Sequence, residues 1–175
     1  PLFDPAIIIR DEPHRRRGLR SRAFDGEGLP TAARDIVANG LVTGWLLDSA
    51  SARQLGLSPT GHASRGGGAA GVAVSNLHLA PGTVTPAALM ADIREGIYVP
   101  ELIRQGVNPV TGDYSRGASG FVIRDGVIAE PIAEFTIAGN LLTMFPALVA
   151  ADDLEFRYAT NVPTLRIDGM TVASA

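Results

Sequence analysis

Ser119 stands in Gly117-Ala118-Ser119-Gly120, a serine between small residues of the kind an exposed nucleophile needs. The nucleophile elbow also requires a glycine two places after the serine, and Phe121 stands there. Just upstream, Asp113, Tyr114, Ser115 and Arg116 form a compact polar cluster between Gly112 and Gly117. Together with Ser119 and Asn140 they are the candidate binding residues of this chain. Catalysis by the cluster would need a base of suitable pKa, and none lies nearby in sequence. Three readings stay open. The cluster is a polar turn or bulge satisfied by its own backbone, the lining of a groove or subunit contact, or an active centre built on Asp113–Arg116.

Other chemistries fit less well. Hydrolytic zinc needs two or three clustered imidazoles or carboxylates and an open position for water. His14, His62 and His78 are widely separated and none opens an HExxH pattern, so no catalytic residue and no metal ligand is assigned here. The absence of cysteine rules out thiolate sites and disulfides and fits a reducing compartment. Residues 66–71 formally match GxGxxG, but a dinucleotide site needs a strand before the motif and a helix after it. Residues 72–79 instead alternate like a strand. A P-loop is excluded because the chain has no lysine.

The elements that must position these residues are mostly hairpins. Asn39-Gly40 lies between residues 35–38 and 41–47, and Asp125-Gly126 between residues 120–124 and 127–131; both dipeptides suit a type I′ turn. Residues 5–10, with three consecutive isoleucines, read as a buried strand. Residues 11–22, 24–30 and 58–71 read as loops. A short helix is expected over 49–57 with Ser49 or Ser51 as N-cap, and another over 86–94 with Thr85 as cap and Pro86 first. A third is expected over 136–151, kinked at Pro146. Residues 154–172 read as strands around Pro163. The expectation is an α+β fold, predominantly antiparallel β, as a hairpin-rich sheet or a barrel-like closure, with two or three helices.

Length and composition bound the rest. The 175 residues suit a single domain over 1–175, and 46% hydrophobic content suffices for a core. No run of 18 apolar residues indicates a transmembrane helix. The opening PLFDPAIII has no initiator Met and no visible leader, and it reads as a piece of a longer protein. Net charge is −3, too mild to imply a nucleic-acid partner. All fifteen basic residues are arginine, and six of them crowd into residues 10–22. That segment reads as a solvated linker or as an anion-binding arm; it has no aromatic residue for base stacking.

Residues 106–140, and GDYSRGASGF within them, closely resemble the C-terminal signature of the TldD/PmbA family, on its PmbA (TldE) side. The similarity extends along the chain. Asp25, Glu27, Gly28, Pro30 and Thr31 match a DxEG-x-PT segment, and Thr136-Ile137-Ala138-Gly139-Asn140-Leu141 matches TIAGNL. The Asn39-Gly40 hairpin followed by Ser51-Ala52 and Leu55-Gly56, then Asn76 and Pro81-Gly82, keeps the family's order. The resemblance implies the C-terminal domain of a longer PmbA/TldE-like subunit of a cytoplasmic metallopeptidase complex that acts on unfolded peptides. It implies zinc on a TldD-like partner, through an HExxxH motif that this sequence lacks, and no catalysis by this chain alone. A regulatory interaction domain, in the sense of a modulator of DNA gyrase, is the alternative it carries. Strand addition of an extended peptide to an exposed sheet edge is the expected mode of binding. No membrane and no direct nucleic-acid contact are expected.

Overall fold

The computed structural model describes residues 1–69, 71–104 and 106–174. In chain order the first strands are β1 (Ile9–Asp11), β2 (Arg34–Ala38) and β3 (Leu41–Val42), followed by helix α1 (Ser49–Leu55). Next come β4 (Ala63–Ser64), β5 (Gly71–Val72), β6 (Leu77–Leu79), helix α2 (Pro86–Met90), β7 (Glu95–Ile103), β8 (Asp113–Arg124) and β9 (Val127–Asn140). The chain ends with helix α3 (Leu141–Met144), β10 (Leu148–Ala150), β11 (Thr160–Asn161), β12 (Leu165–Ile167) and β13 (Thr171–Ser174). This is an α+β fold with mostly antiparallel sheets, and among the described residues no sheet closes into a barrel.

Two compact units emerge, one formed mainly by Pro5–Pro81 with Leu154–Pro163, the other by Leu2–Asp4, Gly82–Asp153 and Thr164–Ala175. The first holds a five-stranded sheet in the order β11-β6-β1-β2-β3, and the short pair β4-β5. Ile7, Val37, Leu47, Ala52, Ala63 and Leu79 are its buried apolar residues. The Asn39-Gly40 turn forms as expected, with φ of 51° and 72°, the left-handed values a type I′ turn requires. Trp45 beyond it is exposed.

The second unit is dominated by a four-stranded antiparallel sheet, β13-β9-β8-β7. Its central hairpin turns at Asp125-Gly126, with φ of 47° and 78°. Ala118, Phe135 and Ile137 form a buried cluster, with Ile97, Val99, Tyr114, Ile132 and Met170 packed against it. Burial of Phe135 alone is worth about 3–5 kcal/mol against alanine.

Several expectations are corrected. Residues 136–151 are not one helix. Residues 136–140 continue β9 and pair with residues 113–117 of β8. The Asn140 side chain then accepts from Leu142 N–H at 3.0 Å, and a single turn follows before Pro146. The apolar spacing that suggested a helix serves a strand, a turn and then β10. The N-cap of α1 is Asp48, whose carboxylate accepts from Ser51 N–H at 2.7 Å, rather than either serine. Thr85 caps α2 as expected, but the helix stops at Met90. Residues 72–79 split into β5 and β6, and residues 58–71 contain β4. β7 was not anticipated, because Pro100 interrupts its pattern; the register shifts between Tyr98 and Glu101, where a proline is tolerated.

That bulge brings backbones into close approach. A Cβ on Gly120 would lie 2.1 Å from the Tyr98 carbonyl oxygen, whereas one on Gly67 would meet nothing within 4 Å. Gly120→Ala is expected to lower stability by about 1–3 kcal/mol, and Gly67→Ala by less than about 0.5 kcal/mol. Urea denaturation of the two variants checks this; equal midpoints would contradict the packing at the bulge.

Candidate functional site

The polar cluster is neither a turn nor a free-standing bulge. Asp113, Tyr114, Ser115, Arg116 and Ser119 all lie on β8, an interior strand between β9 and β7. Their backbone groups are engaged on both sides: Asp113 pairs with Asn140 and Ser115 with Ala138, while Ser115 N–H donates to the Gly106 carbonyl at 2.7 Å. At about 3.4 Å per residue, Asp113 and Ser119 stand roughly 20 Å apart along the strand. They cannot converge on one reacting atom.

Two of the six candidates do meet. The Asn140 amide donates to the Thr111 carbonyl at 3.0 Å and to the Asp113 carboxylate at 3.2 Å, and the Thr111 hydroxyl donates to Asp113 at 2.6 Å. The Thr111 hydroxyl first, then the Asn140 amide, hold the Asp113 carboxyl below its ordinary value, so it stays ionised and is a poor base. The others are dispersed. Tyr114 packs on the Phe135 cluster. Arg116 donates to the Leu102 carbonyl at 3.3 Å and keeps a buried Nε without a partner. Ser119 Oγ is 3.4 Å from Glu101. The arrangement is a pinned strand end with polar side chains spaced along it, suited to contact rather than to bond cleavage.

The more highly organised polar groups lie in the other unit and escaped the sequence reading. Asp11 is fully buried; it accepts from Ser75 N–H and from the Ser75 hydroxyl, both at 2.8 Å, and meets His62 Nε2 at 3.2 Å. His62 Nδ1 is 2.9 Å from the Thr60 hydroxyl. An acid, an imidazole and a serine are thus together, but in the wrong order. In a hydrolytic triad the imidazole stands between serine and acid; here the carboxylate stands between serine and imidazole, so nothing removes the serine proton. Burial pushes the Asp11 carboxyl up, but hydrogen bonds from His62 and Ser75 outweigh it, and the net displacement is downward. Asp25 is similar: burial raises it, and the N–H groups of Leu29, Glu27 and Ala63 lower it further. For Asp11 the sequence signal was an acidic residue directly after the strand expected over residues 5–10, and Asp25 stood in the DxEG-x-PT segment without a role assigned to it.

The arginine-rich segment is ordered. Turns close it through Arg15 N–H to Glu12 and Gly18 N–H to Arg15, and buried Asn76 clamps it by accepting from Arg20 N–H at 2.9 Å and donating to Glu12 at 2.8 Å. The fold brings aromatic residues to it that the local sequence lacks. Phe156 lies under the Arg15 guanidinium, and Tyr158 is exposed beside it. They share a concavity of about 250 Å³ with Arg16, Arg17 and Arg157.

The histidines do not fit a zinc centre. His14 is 3.0 Å from the Thr31 hydroxyl, His62 is taken by Asp11 and Thr60, and His78 is buried against the Phe156 ring. Burial holds the His78 imidazole below its ordinary pKa, although Glu12 opposes this. Among the described residues no three His, Asp or Glu side chains come together as metal ligands. Among them also, no helix is long and apolar enough to cross a membrane.

Comparison with known proteins is consistent along the chain. Residues 1–174 match the family model of the PmbA/TldA metallopeptidase C-terminal domain. The chain is 40% identical over 168 residues to Metalloprotease PmbA of Escherichia coli O157:H7, covering 95% of this chain and 36% of that protein. It is 43% identical over 167 residues to the Metalloprotease PmbA homolog of Haemophilus influenzae, covering 94% and 35%. The Metalloprotease TldD homolog of the same organism is 26% identical, over 98% of this chain and 39% of that protein. The solved structure of a modulator of a DNA gyrase from Thermotoga maritima superposes with a TM-score of 0.87 at 30% identity, covering 98% of this chain and 40% of that one. The chain therefore spans little more than a third of the length of the curated relatives it matches.

Ser75→Ala is expected to cost about 1–3 kcal/mol through the unsatisfied Asp11 oxygen, and Asp11→Ala about 3–5 kcal/mol. Asp113→Ala, on an exposed and solvent-screened network, should cost least of the three. Urea midpoints order the three. The folded pKa values of Asp11 and Asp25 lie below their unfolded ones, so their stabilisation is present above about pH 4 and lost as pH falls through the folded values. Midpoints measured across that acid range should therefore fall for the wild type, and less steeply for Asp11→Asn.

Proposed function

Since this chain belongs to the PmbA/TldD metallopeptidase family as its C-terminal domain, we propose that it is the peptide-contacting, non-cutting domain of a PmbA/TldE-type subunit. It pairs with a TldD-like catalytic subunit in the cytoplasm. The partner holds the metal, zinc, and the pair degrades or processes unfolded peptides. The observation that carries the branch assignment is the contrast within one organism, 43% identity to the PmbA homolog against 26% to the TldD homolog. The side-chain chemistry is in keeping with it: His14 and His62 are held by internal bonds, and His78 is buried against the Phe156 ring.

The sheet supplies a mode of contact. β7 is the outer strand next to β8, and β13 is the outer strand on the other side. An outer strand offers alternate N–H and C=O groups to an extended peptide whatever its side chains, which suits unfolded substrates. β8 itself offers no free edge, so the residues from Asp113 to Ser119 contribute side chains, with Asn140 and Asp113 fixing the strand end for a partner or peptide.

Mixing this chain, within its full-length subunit, with a TldD-like subunit and an unfolded peptide tests the proposal. Cleavage is expected only from the pair; a chelator should abolish it and added zinc restore it. Cleavage by this subunit alone would refute the assignment, and stable pairing without any peptidase activity would favour the gyrase-modulator reading. Hydrogen exchange of the pair with an uncleaved peptide should show slower exchange in β7 or β13; unchanged exchange in both would exclude strand addition.

A further inference from the structure

The chain carries a net charge of −3, yet the concavity beside β11 gathers Arg15, Arg16, Arg17 and Arg157 and has no acidic residue in its lining. Four like charges in one depression repel one another, so the fold must hold them there. Two buried asparagines do so. Asn76 ties one rim through Arg20 N–H and the Glu12 carbonyl. Asn161 ties the other: its carbonyl accepts from Arg157 N–H at 2.9 Å and Tyr158 N–H at 2.8 Å, and its amide donates to the Tyr158 carbonyl at 2.7 Å. Both side chains are at least 95% buried.

The guanidiniums are not equally free. Arg15 is held by Glu12 at 3.0 Å and by the Phe156 ring, and Arg157 is paired with exposed Glu155. Arg16 and Arg17 are exposed and have no ion pair among the described residues. Arg17 takes φ of 59°, a left-handed conformation unusual for a residue with a side chain. Tyr158 adds an exposed ring and hydroxyl at the rim. Arginine forks match carboxylates in a bidentate way, and a preset rim lowers the ordering cost of that contact. At about 250 Å³ the depression has room for one short ionic group with its neighbours rather than for a drug-sized ligand. Phe156 is already covered by Arg15 and edged by His78, which leaves Tyr158 as the one open ring; that is too little for a run of stacked bases.

We infer that this concavity is a carboxylate-binding site for peptides, in which Arg16, Arg17 and Arg157 receive an acidic side chain or a chain-terminal carboxylate beside Tyr158. The identification of the ligand as a peptide rests on the peptidase reading above. The site selects acidic stretches or chain ends among otherwise sequence-tolerant peptides.

The test measures the fluorescence anisotropy of four labelled unstructured peptides with this chain within its full-length subunit. They are rich in Asp and Glu, or in Asn and Gln at the same positions, each with a free or an amidated C terminus. The acidic or the free-ended peptides are expected to bind more tightly than the neutral amidated one, and which of the two matters identifies the carboxylate. Arg16→Gln with Arg157→Gln should weaken that binding by about tenfold or more. Arg17→Asn, which keeps a residue tolerant of positive φ, should weaken it as well. Arg53→Gln with Arg65→Gln makes the same charge change elsewhere and should retain it, with thermal midpoints confirming that all variants fold. Equal binding of all four peptides, an equal loss in the Arg53/Arg65 variant, or tighter binding of single-stranded DNA would overturn the site. An active pair with the TldD-like subunit that shows no carboxylate preference removes this site and leaves the peptidase reading standing. Carboxylate binding by this chain beside an inactive pair does the reverse.

Discussion

A carboxylate without access to water organises the first half of this molecule. Asp11 ends the short strand β1 and takes two hydrogen bonds from Ser75 and one contact from His62. An ionised carboxylate buried without partners would cost several kcal/mol, so these groups cannot separate without a large penalty. Ser75 immediately precedes Asn76, which clamps the arginine-rich loop, and β6 follows directly. His62 immediately precedes β4, whose Ala63 N–H donates to Asp25. Strands of two or three residues contribute little cohesion of their own, and the buried polar side chains supply what the ladders lack.

The second unit is stabilised differently. Long antiparallel strands, a left-handed Asp125-Gly126 turn and the Ala118–Phe135–Ile137 cluster make a sheet whose order is set by alternation and register. Its glycines let backbones approach closely, as Gly120 does against Tyr98 at the bulge. Polar side chains on this sheet are accordingly spread along the strand, while those of the first unit are concentrated in bonded groups. That contrast is why the sheet offers surface and the first unit offers a shaped depression.

Legibility in the sequence followed the range of the interactions. Asn39-Gly40, Asp125-Gly126, and Thr85 with Pro86 act within a few residues, and each formed where it was expected. The stretch 136–151 misled because apolar spacing in a strand, a turn and a second strand happened to resemble a helical stripe; the pairing to β8 that decided it lies far away in sequence. β7 was hidden by Pro100. Of the candidate residues, polarity and clustering were legible, but their position on an interior strand was not. The Asp11–Ser75 bonds join residues 64 positions apart, and the arginine loop meets Phe156 and Tyr158 only through the tertiary fold. No local pattern reports such contacts.

The bulge at Pro100 has a further consequence for β7. A long flat outer strand invites copies of itself to add without end, which is the geometry of fibril growth. Proline withholds one donor, and the shifted register bends the strand at that point. The row of backbone groups along this edge is thereby interrupted, which disfavours a repeating stack. The same kink that admits Pro100 to the sheet thus works against templated growth along β7.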